Sequence, residues 1–239
     1  IEWRHILGMV FDEDGILSLE RELAIFEGYN RRLGSYSPLH HENHRLRSQG
    51  SRKGALPAVD DKYFEAAKYS NMVVGFDMVQ EEDSSPPIND FLPLIYEAQC
   101  RAKAQGRTFE TYLHAGESNS RRNKELYDAV LLGTKRIGHG FHLAYHPSLI
   151  QMVKAKEICL ECCPVSNFVL GYVLDMRNHP ARGFLHQGLP VSINSDDPGF
   201  MGYEGVTLDY LYAFLSWDLD IADLKKLCLN SLTYASISD

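Results

Sequence analysis

A histidine followed three residues later by a glutamate is the stretch of this sequence best suited to carry chemistry. The apolar run Thr111-Tyr-Leu-His114 ends at the histidine, and Ala-Gly-Glu117 follows it. Such a run predicts a β-strand whose last imidazole lies at the carboxyl end, where parallel α/β proteins bind metals and substrates. Taken alone, the pair more often represents a structural histidine beside a loop glutamate, so the functional interpretation depends on later stretches.

Two later stretches end in side chains of the same chemical kind. Lys135-Arg-Ile-Gly-His139 predicts a strand that ends at a histidine, and residues 189–194 predict a strand that runs into Asp196 and Asp197. Imidazole nitrogens and carboxylate oxygens are the ligands of hydrolytic zinc, which lowers the pKa of water to about 7. Taken singly, His139 fits a core histidine, and the two aspartates fit a turn before proline. Their order at the ends of three strands favours a metal-dependent site.

Short apolar strands that alternate with amphipathic stretches must position these side chains. Seven strands are predicted, which indicates parallel βαβ units with right-handed crossovers. A closed (β/α)₈ barrel needs eight strands. The sequence opens in a strand-like stretch without a methionine. We therefore expect an α/β fold, a TIM barrel of the metal-dependent hydrolase type that lacks its first strand, with residues 1–239 forming a single catalytic domain. The strands are predicted at 6–11, 33–39, 72–77, 111–114, 135–139, 157–163 and 189–194.

The segments between the strands are predicted as helices, an acidic loop with two prolines over residues 80–87, and two further loops. The helices are expected at about 16–26, 60–69, 88–105, 123–132, 180–186, 207–217 and 221–235, with a further one opening at Pro147. Residues 40–54 are predicted to form a polar surface loop. It contains His40, His41 and His44, and a solvated loop is favoured over a metal site because no partner lies at ligand spacing. Pro164-Val-Ser-Asn167 is predicted as the second loop.

Composition excludes some classes of protein and leaves others open. A net charge of −8 argues against a protein that binds nucleic-acid backbones, and no run of about 18 apolar residues predicts a membrane span. Five cysteines include Cys159-x-x-Cys162-Cys163. Zinc or redox chemistry is one interpretation of this cluster, but a zinc ribbon needs a second pair, so buried strand thiols are favoured. The sequence contains no N-x-[ST] glycosylation site, and composition does not settle the compartment.

Four motifs in order resemble those of the metal-dependent adenosine deaminases. They are His114-Ala-Gly-Glu117, Arg136-Ile-Gly-His139-Gly-Phe, Cys163-Pro-Val-Ser-Asn167 and Ser195-Asp-Asp-Pro198. The surrounding sequence looks most similar to the secreted adenosine deaminase-related growth factors. The resemblance is weak over residues 30–60 and strong from residue 72 onward.

The resemblance implies a zinc-dependent hydrolytic deamination. Adenosine and 2′-deoxyadenosine would be converted to inosine and 2′-deoxyinosine, with release of ammonia. His114 and Asp196 match two of the four zinc ligands of the family. Glu117 matches the proton donor to the purine ring nitrogen N1, and His139 matches the residue that orients the attacking water and takes its proton. Asp197 matches a second partner of that water and of the purine. An electron-poor ring carbon needs these groups: a metal-activated water, an acid at the ring nitrogen and a base.

Two departures from the family pattern concern the metal and the purine pocket. The family's other two zinc ligands form an H-x-H, which this sequence lacks, so we expect weak zinc binding and little turnover from this chain. Gln80 stands where the family usually has a glycine whose backbone N–H faces the purine. Gln80 and Gly116 are therefore predicted substrate-binding residues. His40 is the nearest match to a ribose-contacting histidine.

The resemblance also implies the partners and the setting of the protein. Adenosine is the expected small-molecule substrate and one Zn²⁺ per subunit the expected cofactor, with no nucleic acid and no membrane as partners. Secretion, a growth-factor-like role in purine signalling and a homodimer formed through N-terminal segments are implied as well. A rival interpretation is a non-catalytic barrel kept for signalling or binding, and a third is an amidohydrolase that acts on adenine, AMP or another nucleobase.

Overall fold

The computed structural model describes residues 3–7, 46–51, 73–79, 81–106 and 108–236. The chain divides into two compact units. The first consists of residues 1–80, 85–112 and 236–239, and the second of residues 81–84 and 113–235.

The first unit is built on a parallel sheet of four strands. In chain order they are β1 (Trp3–Leu7), β2 (Leu46–Ser51), β3 (Val73–Val79) and β4 (Glu110–Thr111), and they pair in that same order. A 3₁₀ turn at Ile88–Phe91 leads into helix α1 (Leu92–Ala104), which begins with proline in its first turn. Gly106 follows this helix with a φ of +69°. It is therefore the predicted C-terminal glycine, since left-handed backbone there favours glycine.

Strand β2 contradicts the surface loop that the sequence predicts for residues 40–54. Leu46–Ser51 pairs in parallel with β1 on one side and with β3 on the other. Its sequence, Leu-Arg-Ser-Gln-Gly-Ser, has one apolar side chain, so the alternation that indicates a strand is missing. Two neighbouring strands impose the extended conformation instead, because both sets of backbone hydrogen bonds are satisfied there. The predicted strand at 33–39 and the predicted helices at 16–26 and 60–69 lie outside the described residues.

The second unit contains a second parallel sheet of four strands, and all four are buried. They are β5 (His114–Ala115), β6 (Arg136–His139), β7 (Cys159–Cys162) and β8 (Val191–Ile193), again paired in chain order. Strands β6, β7 and β8 lie within the strands predicted at 135–139, 157–163 and 189–194. The strand predicted at 111–114 is instead divided between β4, which ends at Thr111, and β5, which begins at His114. The helices of this unit are α2 (Glu125–Leu131), α3 (Pro147–Ala155), α4 (Pro164–Val169), α5 (Pro180–His186), α6 (Thr207–Ser216) and α7 (Ile221–Thr233), with 3₁₀ turns at Phe141–Tyr145 and Met176–Asn178.

Helix α4 occupies the place where the sequence predicts a loop. A proline followed by short polar residues is typical of a turn, and the sequence therefore predicts a loop at Pro164-Val-Ser-Asn167. Pro164 instead begins the helix, because proline lacks only an N–H that the first turn does not use. The N–H of Val165, also unpaired within the helix, donates to the buried carboxylate of Asp209 at 3.0 Å. The helix sits directly after β7 and fixes the side chains of Ser166 and Asn167.

A buried ion pair joins β6 to β7 inside the second unit. Arg136 Nε donates to Glu161 Oε1 at 2.7 Å, and Arg136 also donates to the backbone carbonyl of Tyr234 at 2.6 Å. The pair therefore connects the sheet to the segment that follows α7.

The cysteines are free thiols, and those of the predicted cluster are buried. Burial raises the pKa of Cys159 to about 12 and raises that of Cys162 further. These thiols stay protonated and pack as apolar groups, which confirms the interpretation of Cys159, Cys162 and Cys163 as core residues. Among the described residues, no helix has the length and apolar character needed to cross a membrane.

Candidate active site

His114 lies at the start of β5 and is packed face-on against a neighbouring strand. It pairs in register with Gly138 of β6 and is 5 % exposed. A Cβ atom at Gly138 would lie 2.8 Å from His114 Cγ and 2.9 Å from Nδ1. The glycine therefore provides the space in which the imidazole sits, and any larger residue there would displace the ring.

His139 ends β6 in a backbone conformation that few side chains adopt. Its φ is +61°, in the left-handed region, where a residue other than glycine carries a cost of about 1–3 kcal/mol. The ring centroids of His139 and His114 are 5.1 Å apart. His139 Nε2 lies 3.4 Å from Glu117 Oε1 and 3.8 Å from Asp196 Oδ2. The strained backbone thus aims the imidazole at two carboxylates.

Asp196 follows β8 and shares this unusual backbone geometry, with a φ of +55°. Its Oδ2 accepts a 2.7 Å hydrogen bond from Ser166 Oγ, and Ser166 is fully buried in helix α4. The short bond from a hydroxyl to a charged oxygen is of the strong kind and leaves Oδ1 to face other partners. Helix α4 therefore orients a carboxylate that belongs to another strand end.

The two histidines and the aspartate fit a metal ion by their chemistry. Within the part of the chain that the structure describes, His114, His139 and Asp196 form the one group of three or more potential ligands, and the atoms they offer lie within 4.8 Å of one another. Nitrogen and carboxylate ligands at the usual zinc bond lengths lie about 3.4 Å apart in a tetrahedral site. Small side-chain rotations would close that difference, so the residues present suit Zn²⁺.

The loop that carries Glu117 is held in place by a buried carboxylate. Glu82 is 4 % exposed and accepts backbone N–H bonds from Gly116 at 2.9 Å and from Glu117 at 3.0 Å. Asn123 donates to the same carboxylate at 2.6 Å. Gly116 has a φ of +73°, and a Cβ there would lie 2.8 Å from Leu126, so only glycine suits this turn. These contacts hold the backbone from which the Glu117 side chain extends.

A second line of hydrogen bonds reaches His139 from the opposite side of its ring. Asn167 Nδ2 lies 3.5 Å from His139 Nδ1, and Asn167 Oδ1 lies 3.0 Å from His179 Nε2. The N–H of Ala181 donates to His179 Nδ1 at 3.1 Å. Burial lowers the pKa of His179 to about 3, with a smaller contribution from His139, so this ring is neutral over the working range of pH.

Asp197 and Gln80 are the other two polar residues that the sequence singles out. Asp197 is exposed, and its carbonyl accepts a hydrogen bond from the N–H of Met201 at 3.1 Å. Gln80 lies outside the described residues. The substrate contacts expected of Asp197, Gln80 and Gly116 stay predictions, and the Gly116 N–H is engaged by Glu82.

Sequence reasoning gave no role to four side chains that support the cluster. Ser166 and Asn167 were recognised only as letters of a motif, although their place directly after a strand is a signal, because the carboxyl ends of parallel strands form sites. Glu82 and His179 are the other two. No local pattern marks these two, since their contacts are with residues 34 and 12 positions away in sequence.

Residues 55–239 match the family model described as adenosine deaminase. The chain belongs to the adenosine deaminase family. The match covers more than half of the chain and includes every residue of the cluster described above. Adenosine deaminase 2 of Dictyostelium discoideum is 41% identical over 169 residues, which are 71% of this chain and 31% of that protein. The chain therefore spans about a third of the length of the curated relatives it matches.

Solved structures similar to this chain have the fold predicted from the sequence. The N6-methyl-AMP deaminase of Arabidopsis thaliana, at 20% identity, superposes with a TM-score of 0.78 over all of this chain and 68% of that one. A Burkholderia ambifaria amidohydrolase solved with bound Zn is 26% identical, with a TM-score of 0.74 over 95% of this chain and 60% of its own. These deaminases and amidohydrolases are TIM barrels, which confirms the predicted fold class.

Proposed function

We propose that the intact protein uses this cluster to deaminate adenosine by hydrolysis, giving inosine and ammonia. The observation that carries the proposal is the convergence of His114, His139 and Asp196, with Glu117 against His139, in a chain of the adenosine deaminase family. Nitrogen and oxygen ligands beside a separate carboxylic acid are what hydrolysis at an electron-poor ring carbon requires.

The residues of the cluster, together with Glu117 and Asp197, each have a proposed part in the reaction. His114 and Asp196 would hold Zn²⁺, which when bound supplies a water that is nucleophilic at neutral pH. Glu117 donates a proton to purine N1 as the C6 carbon becomes tetrahedral, which relieves the negative charge that develops on the ring. His139 orients the attacking water, and Asp197 is a second partner of that water and of the purine.

The surroundings of Glu117 support an acid role that depends on position. Its carboxylate is 15 % exposed, and its backbone is held by Glu82, so it presents one face to His139. A carboxyl group that delivers a proton to one atom of a bound ring gains rate from being fixed before substrate arrives. The arrangement therefore suits general acid chemistry better than a flexible surface glutamate would.

Zinc content and adenosine turnover of the intact protein test the proposal. We expect about one zinc per chain, conversion of adenosine to inosine and loss of both after chelation, with recovery when Zn²⁺ is restored. Protein that holds zinc stoichiometrically and leaves adenosine and 2′-deoxyadenosine untouched would reject the proposal and favour the non-catalytic barrel. Turnover of adenine or AMP in place of adenosine would show that the protein is a deaminase with a different substrate.

The setting of the reaction is part of the same proposal. We propose that the protein acts outside the cell as a homodimer. By lowering the concentration of extracellular adenosine, it would have a growth-factor-like role in purine signalling. The support is the resemblance to the secreted adenosine deaminase-related growth factors and the similarity to proteins named adenosine deaminase 2. Cell fractionation is the test: we expect the protein and its activity in the medium, and its confinement to the cytosol would overturn this part.

A further inference from the structure

Hydrogen bonds link Ala181, His179, Asn167 and His139 in that order, and we call these four residues the relay. The donor and the acceptor of each bond can be assigned one after another, starting from Ala181. A backbone N–H can only donate, so Ala181 makes His179 Nδ1 an acceptor at 3.1 Å. A neutral imidazole carries one N–H. His179 therefore bears its proton on Nε2 and donates it across 3.0 Å to Asn167.

The orientation of the Asn167 amide follows from that step. Its group facing His179 must accept, so it is the oxygen Oδ1, and the amide nitrogen Nδ2 faces His139 Nδ1 at 3.5 Å. An amide nitrogen can only donate. His139 Nδ1 is therefore an acceptor, and in the neutral ring the proton sits on Nε2, which faces Glu117 at 3.4 Å and Asp196 at 3.8 Å.

The relay is held by packing as well as by hydrogen bonds. Asn167 is 1 % exposed and His179 is 3 % exposed. The His179 ring packs against Trp217, at a centroid distance of 5.0 Å, and meets the Phe141 ring edge-to-face at 5.3 Å. Trp217 is in turn fixed by a 3.0 Å hydrogen bond from its indole to the carbonyl of Met176. These contacts support the orientation in which His179 Nε2 faces Asn167 and Nδ1 faces Ala181.

We propose that Asn167 and His179 are positioning residues that fix the tautomer of His139, with the ring proton on Nε2 and pointed into the cluster. Histidines that bind metals present the opposite arrangement, since they donate their distal N–H to an acceptor and keep a lone pair for the metal. The relay places a donor at the distal nitrogen of His139. His139 is thus the residue of the cluster that donates a hydrogen bond, while His114 and Asp196 are left as the metal ligands.

The consequence for the reaction rests on the proposed function. A neutral His139 with its proton on Nε2 orients the attacking water by donating to its oxygen. It has no lone pair on that nitrogen with which to accept the water's proton. Asp197, proposed above as the second partner of that water, is then the acceptor of its proton, which modifies the proton-accepting part that the family resemblance implies for His139.

Nitrogen NMR of the intact protein labelled with ¹⁵N in its histidine rings tests the tautomer without reference to activity. The His139 signals are assigned by their loss in His139→Gln. We expect an unprotonated Nδ1 and a protonated Nε2. Asn167→Asp has the same shape and still accepts from His179, but it replaces the donor to His139 by an acceptor, so the proton should move to Nδ1. Asn89→Asp, at an exposed position, is the matched control and should leave His139 unchanged.

Kinetics of the same variants separate the relay from the proposed function. For Asn167→Asp we expect kcat to fall about 10²–10⁴-fold with little change in KM. A wild-type His139 protonated on Nδ1, or an Asn167→Asp spectrum identical to wild type, would overturn the relay. An inactive wild type with the expected tautomer would instead leave the relay intact and reject adenosine deamination. His179→Gln, which removes the ring but can still hydrogen-bond Asn167, should give a mixture of tautomers.

Discussion

At the scale of single residues, a short hydrogen bond from Ser166 orients Asp196, one of the two proposed metal ligands. The 2.7 Å bond reaches Oδ2 from a fully buried hydroxyl. Partners of this kind hold a ligand in its binding rotamer, and their loss typically weakens metal binding 10- to 100-fold.

Ser166→Ala should therefore weaken zinc binding by roughly 10- to 100-fold without unfolding the protein. The measurement is competition of the apo-protein against a zinc-binding dye of known affinity. Ser148→Ala, at an exposed position of α3, is the matched control and should bind as wild type does. An unchanged affinity for Ser166→Ala would show that the bond does not position Asp196.

Glu117→Gln should abolish deamination while zinc content stays that of wild type. The amide cannot give a proton to the purine, and it keeps the volume and backbone bonds of the glutamate, so the loss in kcat is expected to be about 10²–10⁴-fold. Steady-state conversion of adenosine to inosine is the measurement. Glu97→Gln, on the exposed face of α1, removes the same charge and should be fully active. Retained activity in Glu117→Gln would remove the acid role from this residue.

At the scale of elements, the close approach of β5 and β6 decides where the His114 imidazole lies. The space above Gly138 is filled by that ring, with contacts under 3.0 Å to any Cβ placed there. A strand with a side chain at this position could still pair, but the ring would have to move.

Gly138→Ala should accordingly lower both stability and zinc binding. Overpacking of this kind typically costs about 1–3 kcal/mol, and the displaced ring loses its ligand geometry. Thermal unfolding and zinc titration are the measurements. Gly183→Ala, inside α5 where nothing lies within 4 Å of the added carbon, should instead raise stability by up to about 1 kcal/mol. Equal behaviour of the two variants would contradict the packing argument.

At the scale of the whole second unit, buried histidines make stability depend on pH. Burial lowers the pKa of His179 from its ordinary 6.5 to about 3, and it also lowers the pKa values of His142 and His146. The unfolded chain takes up a proton near pH 6.5, whereas folded His179 does not until about pH 3. Stability from this group is therefore complete above pH 6.5 and declines as the pH falls toward 3.

Between pH 7 and pH 5 we expect His179 alone to reduce the free energy of unfolding by about 2 kcal/mol. Urea unfolding followed by the fluorescence of buried Trp217 is the measurement. His179→Asn should unfold with a smaller difference between the two pH values. His186→Gln, at the exposed last residue of α5, should keep the wild-type difference. If the His179 ring titrates between pH 7 and 5 by NMR, the explanation is wrong.

The sequence by itself determined most of the elements around the cluster and singled out the main residues that meet there. The apolar run ending in His139 folds as strand β6, whose residues are all buried, as expected of a continuous apolar strand in a parallel sheet. The run ending in His114 instead contains the end of β4 and the start of β5. The order of His114, His139 and Asp196 along the chain and the sequences of the four motifs were sufficient to identify the family. The roles assigned to Glu117, Asp197 and Gln80 from that resemblance stay predictions.

Tertiary structure alone decided the rest. Strand β2 has no apolar alternation and exists through its two neighbours, and helix α4 begins at a proline that also suits a turn. The roles of Glu82 and His179 come from contacts across the fold, and local sequence patterns carry no record of such contacts. The direction of the relay is fixed by one backbone N–H, at Ala181. Hydrogen-bond direction depends on which atoms face each other, and only the folded chain determines that.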